Sequence, residues 1–382
     1  MANPSVNDSQ LSWYSAREPL IIMALSAAAI AFFFAVLALS QFFESHQSAR
    51  ADEYFQRGTL DLRNHHPDLA VNRFHAALAY SRDSYSIQLS LAQALLALNR
   101  TEEALQYLTN LWQREPENGM VNFELARIYA QKGDAAQALR YYHDAIYAIW
   151  DQDQDSIRRS ARLELINFLL ARQLHGQAES ELIALESNLP QDPELITEVG
   201  GLFMQVPDYE RALTLFVRSL KLKHQNPDAL AGAGHAAFEL GQYKTSEHYL
   251  KSAVAANSSD SASAQLLETA RLVMQIDPYN MRLSASQRSV NVKDAVQTAA
   301  TRLSGCIANK PAASSGMPGL QELNAHLSQL QPKLRRSAVD SDTVDEAMGL
   351  VFDIEQQTKE LCGPPTDKDL ALLLISREQE GN

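Results

Sequence analysis

Apolar and polar residues fall into two regimes along this chain. From Leu20 to Leu39 no residue is charged, and beyond Arg50 apolar positions recur every three and four residues almost to the end. The first regime is about the 20-residue length that a helix needs to cross the hydrocarbon core of a bilayer. Eleven of its residues are Leu, Ile, Phe or Val, worth roughly -3 to -7 kcal/mol together for insertion. The second regime is the one-face pattern of amphipathic helices. With Gly and Pro sparse and Ala, Leu, Gln and Glu abundant, the fold class expected is all-α.

The apolar run is read as an uncleaved transmembrane helix over residues 20–43. A cleavable leader is the competing reading, since Ala38 and Ser40 place small residues two apart at its end. The run exceeds the core of about 7–15 residues typical of a signal peptide, and one basic residue, Arg17, precedes it in place of a basic cluster. Trp13 and Tyr14 suit the interface on that side. Arg17 on one flank against Arg50 and Arg57 on the other does not decide orientation by charge. Because large domains translocate largely regardless of charge, a short cytoplasmic tail (residues 1–19) and a large part outside are expected.

A period of about 34 residues begins soon after this run. Ala70, Ala104 and Ala138 recur at it, and after one insertion the series resumes as Ala178, Ala212 and Ser246. Four residues beyond each member stands Phe74, Leu108, Tyr142, Leu182, Phe216 or Leu250, and three further on Ala77, Leu111, Ala145, Leu185, Ser219 or Ala253. These spacings put all three positions on one face of a helix. Twelve residues before each member lie Gly58, Ala92, Ala126, Ile166, Gly200 and Gly234, which predict a second, closely packed helix. Turn signals separate the two: Asn64 to Pro67, Gly133, Pro207 and Gly241.

With Pro116 and Pro190 ending second helices and Pro193 and Pro227 opening first ones, this pattern resembles the tetratricopeptide repeat family over roughly Ala51 to Asp260, in about six units. Departures are the missing Trp at the family's first aromatic position, where Tyr54 and Leu230 stand, Ile166 in place of a small residue, and Ser in place of Ala at 219 and 246. The resemblance implies a superhelix over residues 51–289, closed by a cap helix Ser261 to Ile276, with a concave groove lined by first helices. The family's concave positions correspond to Phe55, Gln93, Phe123, Arg127, Asn167, Met204 and His235 here. The Lys/Asn clamp that reads a C-terminal carboxylate in some relatives is absent. A protein or peptide ligand with apolar anchors and at most one acidic contact, to Arg127, is expected.

Composition and charge narrow the function further. A net charge of -13 without any dense Lys/Arg run excludes the positive stripe that nucleic acid requires. Arg158, Arg159 and Arg162 stand beside Asp151, Asp153 and Asp155, which predicts local ion pairs on a solvated face. That acidic stretch also invites a calcium reading. Ser156 and Arg162 occupy the places where an EF-hand loop needs Gly and Glu, so an acidic helix entry capped by Asp155 or Ser156 is the plainer account. His65, His66 and His75, and the pair His235 and Glu239, lack the further ligands of a metal site. No phosphate loop, metal-ligand spacing or catalytic triad context is present. Neither an enzyme nor a cofactor is expected, and a small-molecule ligand is disfavoured.

The remainder, residues 290–382, predicts helices over Val292 to Ser304, Leu320 to Arg336, Thr343 to Leu361 and Lys368 to Arg377, with a mobile linker near 309–319. Cys306 and Cys362, the only cysteines, each follow a predicted helix end. In an up-down-up bundle the two sulfurs meet. Closing a loop of about 57 residues contributes at most roughly 4 kcal/mol on the chain-entropy model, and two free buried thiols are the alternative. A bridge would point to an oxidising compartment. The tail is similar to those of membrane-anchored bacterial repeat proteins.

The expectation is therefore a scaffold or adaptor on the inner membrane, held by the bilayer through residues 20–43, its repeats periplasmic or extracytoplasmic. One alternative is a redox-responsive regulator using Cys306 and Cys362. Another is a cytoplasm-facing regulator of envelope assembly, whose relatives carry a cysteine-rich metal module that this tail lacks.

Overall fold

The computed structural model describes residues 11–148, 150, 155–309, 316–335, 339–365 and 367–380, with backbone alone for 11–20 and 380. Asp151 and Asp153 of the acidic stretch and residues 310–315 of the expected linker lie outside them. Among the described residues seventeen helices follow one another without a strand. The first seven are α1 (Leu11–Arg63), α2 (Pro67–Tyr80), α3 (Tyr85–Ala97), α4 (Thr101–Arg114), α5 (Gly119–Gln131), α6 (Ala135–Tyr147) and α7 (Asp155–Ala171). Next come α8 (His175–Glu186), α9 (Pro193–Gln205), α10 (Tyr209–Leu222), α11 (Pro227–Glu239), α12 (Tyr243–Ala256) and α13 (Ser261–Ile276). The last are α14 (Ala285–Asn309), α15 (Met317–Leu334), α16 (Ser341–Cys362) and α17 (Asp367–Glu380). The described residues have an all-α, helical-repeat fold that divides into two compact units, Met1–Phe168 and Leu169–Asn382.

In the first unit α1 is the dominant element. It is apolar and long enough to cross a membrane, and it does not stop at Phe43. No Gly or Pro occurs between Leu20 and Arg57, so nothing interrupts the hydrogen-bond ladder. The same helix therefore continues to Arg63, where Ala51 and Gly58 are buried against α2. Residues 11–19, expected as a tail, belong to it as well. Successive helices then alternate in direction and bury Ala70, Phe74, Ala77, Ala104, Leu108, Leu111, Ala138 and Ala145 completely.

A close contact explains the recurring small residues. A Cβ on Gly58 would lie 2.7 Å from the Phe74 ring, too near for any side chain to fit without displacing its neighbour. In the second unit Gly200 stands to Phe216 (2.9 Å) and Gly234 to Leu250 (2.6 Å) in the same way. In each case the partner lies sixteen residues on, on the second helix. Ser246 replaces the expected Ala without an orphaned hydroxyl, because its Oγ donates to the Gly234 carbonyl at 2.8 Å.

The turns inside the helix pairs share one hydrogen-bonding pattern. In the first unit the amides of His66, Arg100 and Asp134 donate to the carbonyls of Asp61, Leu95 and Tyr129 at 2.9, 2.9 and 3.0 Å. The residue before each donor has positive φ: His65 at 60°, Asn99 at 58° and Gly133 at 78°. This is the Schellman close of a helix, whose left-handed position suits glycine. In the second unit Leu174, Asp208 and Gln242 donate to Leu169, Phe203 and Ala237, with Gln173 (60°) and Gly241 (70°) left-handed. Pro207 occupies the intervening equivalent position and cannot adopt that φ; the outer bond from Asp208 persists at 3.2 Å.

The second unit ends in a bundle. Apolar residues of α14, α15, α16 and α17 form one core with Phe238, Tyr243, Ala270 and Val273 of the preceding helices. Helix α14 is longer than the periodicity predicts, so Cys306 lies inside it, whereas Cys362 is the last residue of α16. The two sulfurs are bonded, with Cα atoms 5.7 Å apart. Helix α15 starts at Met317, within the expected linker, because Pro318 favours a first turn.

One turn from the disulfide sits a buried charged cluster. Arg302 on α14 pairs with Glu355 on α16 (Nε to Oε2, 3.3 Å) and with Asp369 on α17 (Nη1 to Oδ2, 3.2 Å). It also donates to the Gly363 carbonyl at 2.8 Å and the Thr358 hydroxyl at 2.8 Å. Glu355 is 0% exposed. Burial, and then the neighbouring Asp369 carboxylate, push its carboxyl up to about 8, against the opposing pull of Arg302.

Two outcomes follow from these features. At Gly133 a Cβ would meet nothing within 4 Å, so Gly133→Ala costs only backbone strain, about 1 kcal/mol, while Gln173→Gly relieves a similar amount; urea midpoints of the two variants should move in opposite directions. Glu355 binds its proton more tightly folded than unfolded, so its contribution is fully present below the ordinary value near 4.5 and lost as pH rises through about 8. Glu355→Gln keeps the neutral form, so its thermal midpoint should gain on the parent chain between pH 6 and pH 9. An equal difference at both pH values would disprove the assignment.

Candidate functional site

In the first unit the helices α3, α5 and α7 each open a helix pair. Asn118 caps α5 by accepting from the Val121 amide at 3.1 Å, and the helix then carries Phe123, Glu124 and Arg127 within little more than one turn. Arg127 is the centre of a polar cluster. Its Nη2 lies 2.6 Å from Glu164 Oε1 on α7, its Nε 2.9 Å from Glu164 Oε2, and its Nη1 3.5 Å from Glu124 Oε2. Gln93 on α3 donates to Glu124 Oε1 at 3.2 Å, so one chain of bonds crosses three successive first helices.

Beneath the polar layer lies an aromatic one. The Arg127 guanidinium carbon is 3.9 Å from the Phe123 ring centre, a cation–π geometry. Tyr142 on α6 touches Phe123 (6.5 Å) and Phe168 (5.9 Å). Burial and the nearby Glu164 push the Tyr142 hydroxyl up to about 12, so it remains protonated at any physiological pH. Arg127 is held above the usual guanidinium value, first by its hydrogen bond to Glu164.

The sequence-predicted groove residues divide by environment. Asn167 on α7 and, in the second unit, His235 on α11 are exposed, whereas Phe55 on α1, Gln93 on α3 and Met204 on α9 are half-buried. Phe55 rests on Phe74, with ring centres 5.9 Å apart, and His235 Nε2 lies 3.7 Å from Glu239 Oε1. Phe123 is 2% exposed. Its side chain belongs to the core and offers no face to a ligand, because the guanidinium covers it. Arg127 likewise is already engaged by two carboxylates, so an acidic ligand would have to displace Glu164.

Glu164 occupies the register position of Glu124 in the next unit of the pattern, so periodicity places it on the same helix face, but not as the principal partner of Arg127. Glu124, three residues before Arg127 on the same helix, was legible as a local pair. The Arg158 to Asp155 contact expected on α7 is present at 3.6 Å. Among the described residues no group of three His, Cys, Asp or Glu converges in a way that would hold a metal ion.

Arg127→Ala removes the link between α5 and α7 and leaves Glu124, 9% exposed at its side chain, with only Gln93. The Arg127 and Glu164 side chains are 39% and 36% exposed, so solvent screens the pair. A loss of about 1 kcal/mol is expected by chemical denaturation. Glu164→Gln, which keeps the hydrogen-bonding shape, should cost less. Equal costs for the two would mean that the cluster is not centred on Arg127.

Comparison with known proteins supplies a family for part of this framework. Two sequence models described as tetratricopeptide repeat match residues 55–111 and 95–148. No curated protein matches the chain. Among solved structures the chain is similar to the C-terminal part of a TPR repeat-containing protein from Cytophaga hutchinsonii, at 15% identity over 63% of this chain and 93% of that one, with a TM-score of 0.45. It is similar also to pilF of Pseudomonas aeruginosa, at 15% identity over 58% of this chain and 97% of that one, with a TM-score of 0.44. A third is YrrB, described as a TPR protein with an unusual peptide-binding site, at 15% identity over 50% and 96% and a TM-score of 0.42. Residues 55–148 of this chain are tetratricopeptide repeats.

Proposed function

We propose that this protein is a membrane-anchored, non-enzymatic scaffold whose first-helix face binds segments of other proteins. The observation that carries the reading is the combination, in one unit, of tetratricopeptide repeats over residues 55–148 with a single apolar helix long enough to span a bilayer. Repeat stacking leaves a curved face of first helices that the protein's own core does not use. On it, exposed Asn167 and half-buried Gln93 flank the Arg127 cluster. A bound segment would lie over the outer face of the Arg127 guanidinium and place polar groups on Asn167 and Gln93. An acidic side chain would bind only by competing with Glu164.

The anchor supports a location at the inner membrane, with residues 20–43 as the span and the repeats on the extracytoplasmic side. The bond between Cys306 and Cys362 favours that side, because such bonds persist in oxidising compartments.

Photo-crosslinking amino acids introduced at Gln93 and Asn167, on first helices, and at Thr109, on second helix α4, test the binding face. Partner adducts are expected from the first two and not from Thr109. The same partners captured equally from Thr109 would contradict groove binding.

A further inference from the structure

The continuity of α1 fixes which edge of the first unit approaches the bilayer, given the reading above that its apolar stretch spans one. Chain direction alternates from helix to helix. Tyr54 near the start of the packed part of α1 stacks on Tyr80 at the end of α2, with ring centres 5.9 Å apart. The segment 81–84 between α2 and α3, the segment 115–118 between α4 and α5, and the end of α6 therefore lie on the side toward the apolar stretch. Neighbouring loops on that edge are tied together, since Arg114 donates to the Asp83 carbonyl at 3.1 Å. His65, Asn99 and Gly133, at the left-handed turns, lie on the opposite edge.

Distance and chemistry both suit contact. Ala51, the first buried residue of the packed part, is eight residues beyond Phe43, or about 12 Å along the axis at the helical rise. The polar layer of a bilayer occupies roughly 5–8 Å of that on each side. A tilt of about 20°, ordinary for a span, lowers a point 20 Å to the side by about 7 Å, which closes the rest.

The edge also bears the aromatic character of membrane interfaces. Tyr147 at the end of α6 is 69% exposed and stacks on His143 (6.1 Å). With Trp112, Pro116 and Asp144 these two residues line an open cleft of about 510 Å³. Trp and Tyr are the residues enriched at headgroup level. Arg82, Arg114 and, at the start of α7, Arg158, Arg159 and Arg162 are matched by Asp83, Glu115, Glu117, Asp144 and Asp155, so the edge has no basic excess for anionic lipid. Arg140 and Arg162 already lie over the Trp112 and Tyr147 rings, at 5.3 and 5.9 Å. The carboxylates are therefore the groups that suit the ammonium of zwitterionic headgroups, while the rings supply interfacial apolar contact.

We propose that this edge is a second interaction surface, on which Trp112 and Tyr147 meet the zwitterionic headgroup layer of the same membrane that α1 crosses. The repeats of the first unit would then lie against the bilayer, with His65, Asn99 and Gly133 facing away.

The test places the full chain, under non-reducing conditions that keep Cys306 and Cys362 bonded, in nanodiscs of phosphatidylethanolamine and phosphatidylcholine doped with a nickel-chelating lipid. Spin labels on Glu117→Cys and Tyr147→Cys should show strong relaxation enhancement by the headgroup nickel, and one on Gln131→Cys at the opposite edge should show none. Equal enhancement at the two edges, with the chain co-eluting with the discs, would overturn the surface while leaving the anchor intact. Failure to co-elute would overturn both. A photoreactive headgroup lipid applied to the unsubstituted chain gives an independent reading. Adducts should map to peptides around 81–84 and 112–118, and their confinement to peptides around 97–101 and 131–135 would count against the proposal.

Discussion

The contact between a residue without bulk on one helix and a large apolar side chain sixteen positions later underlies the whole repeat architecture. Where Gly58 meets Phe74, or Gly234 meets Leu250, a single added carbon would stand under 3 Å from its neighbour. Close approach of this kind lets paired helices exclude water from a narrow seam. Each pair buries too little alone, so stability accumulates only as neighbours stack. Completely buried Ala70, Ala104 and Ala138 in the first unit, and Ala178, Ala212 and Ser246 in the second, mark where that stacking is tightest.

Two local devices keep the seams in register. The turn after each first helix, left-handed in every pair but the one with Pro207, satisfies terminal carbonyls and reverses the chain within three residues, at some strain where His65, Asn99 or Gln173 replaces glycine. Polar caps such as Asn118, Asp134 and Asp208 satisfy the opposite ends. In α1 no Gly or Pro interrupts the helical ladder between Leu20 and Arg57. The apolar stretch and the first packed helix are thereby one continuous helix.

The charged clusters show how environment changes the meaning of an arginine. Arg127 sits half open over an aromatic ring, with carboxylates that solvent screens. Arg302 is 15% exposed at its side chain and joins three helices beside a disulfide. There the low dielectric makes a second carboxylate costly, so Glu355 retains its proton and the cluster holds α17 against the bundle.

The sequence by itself determined the helix pairs, because the 34-residue period, the small and large positions and the turn residues are all local or nearly local signals. It determined as well that α1 is apolar over a bilayer's thickness. Tertiary structure alone decided that Phe123 lies under Arg127 and not toward a ligand. The reason is that a helical wheel gives a direction only to within a quarter turn, while the fold fills the remaining space. Tertiary structure also paired Arg127 with Glu164 and Arg302 with Glu355 and Asp369, contacts between residues 37 to 67 apart. The repeat register places Glu164 at the position of Glu124, but only the packing of the helices decides which charges meet.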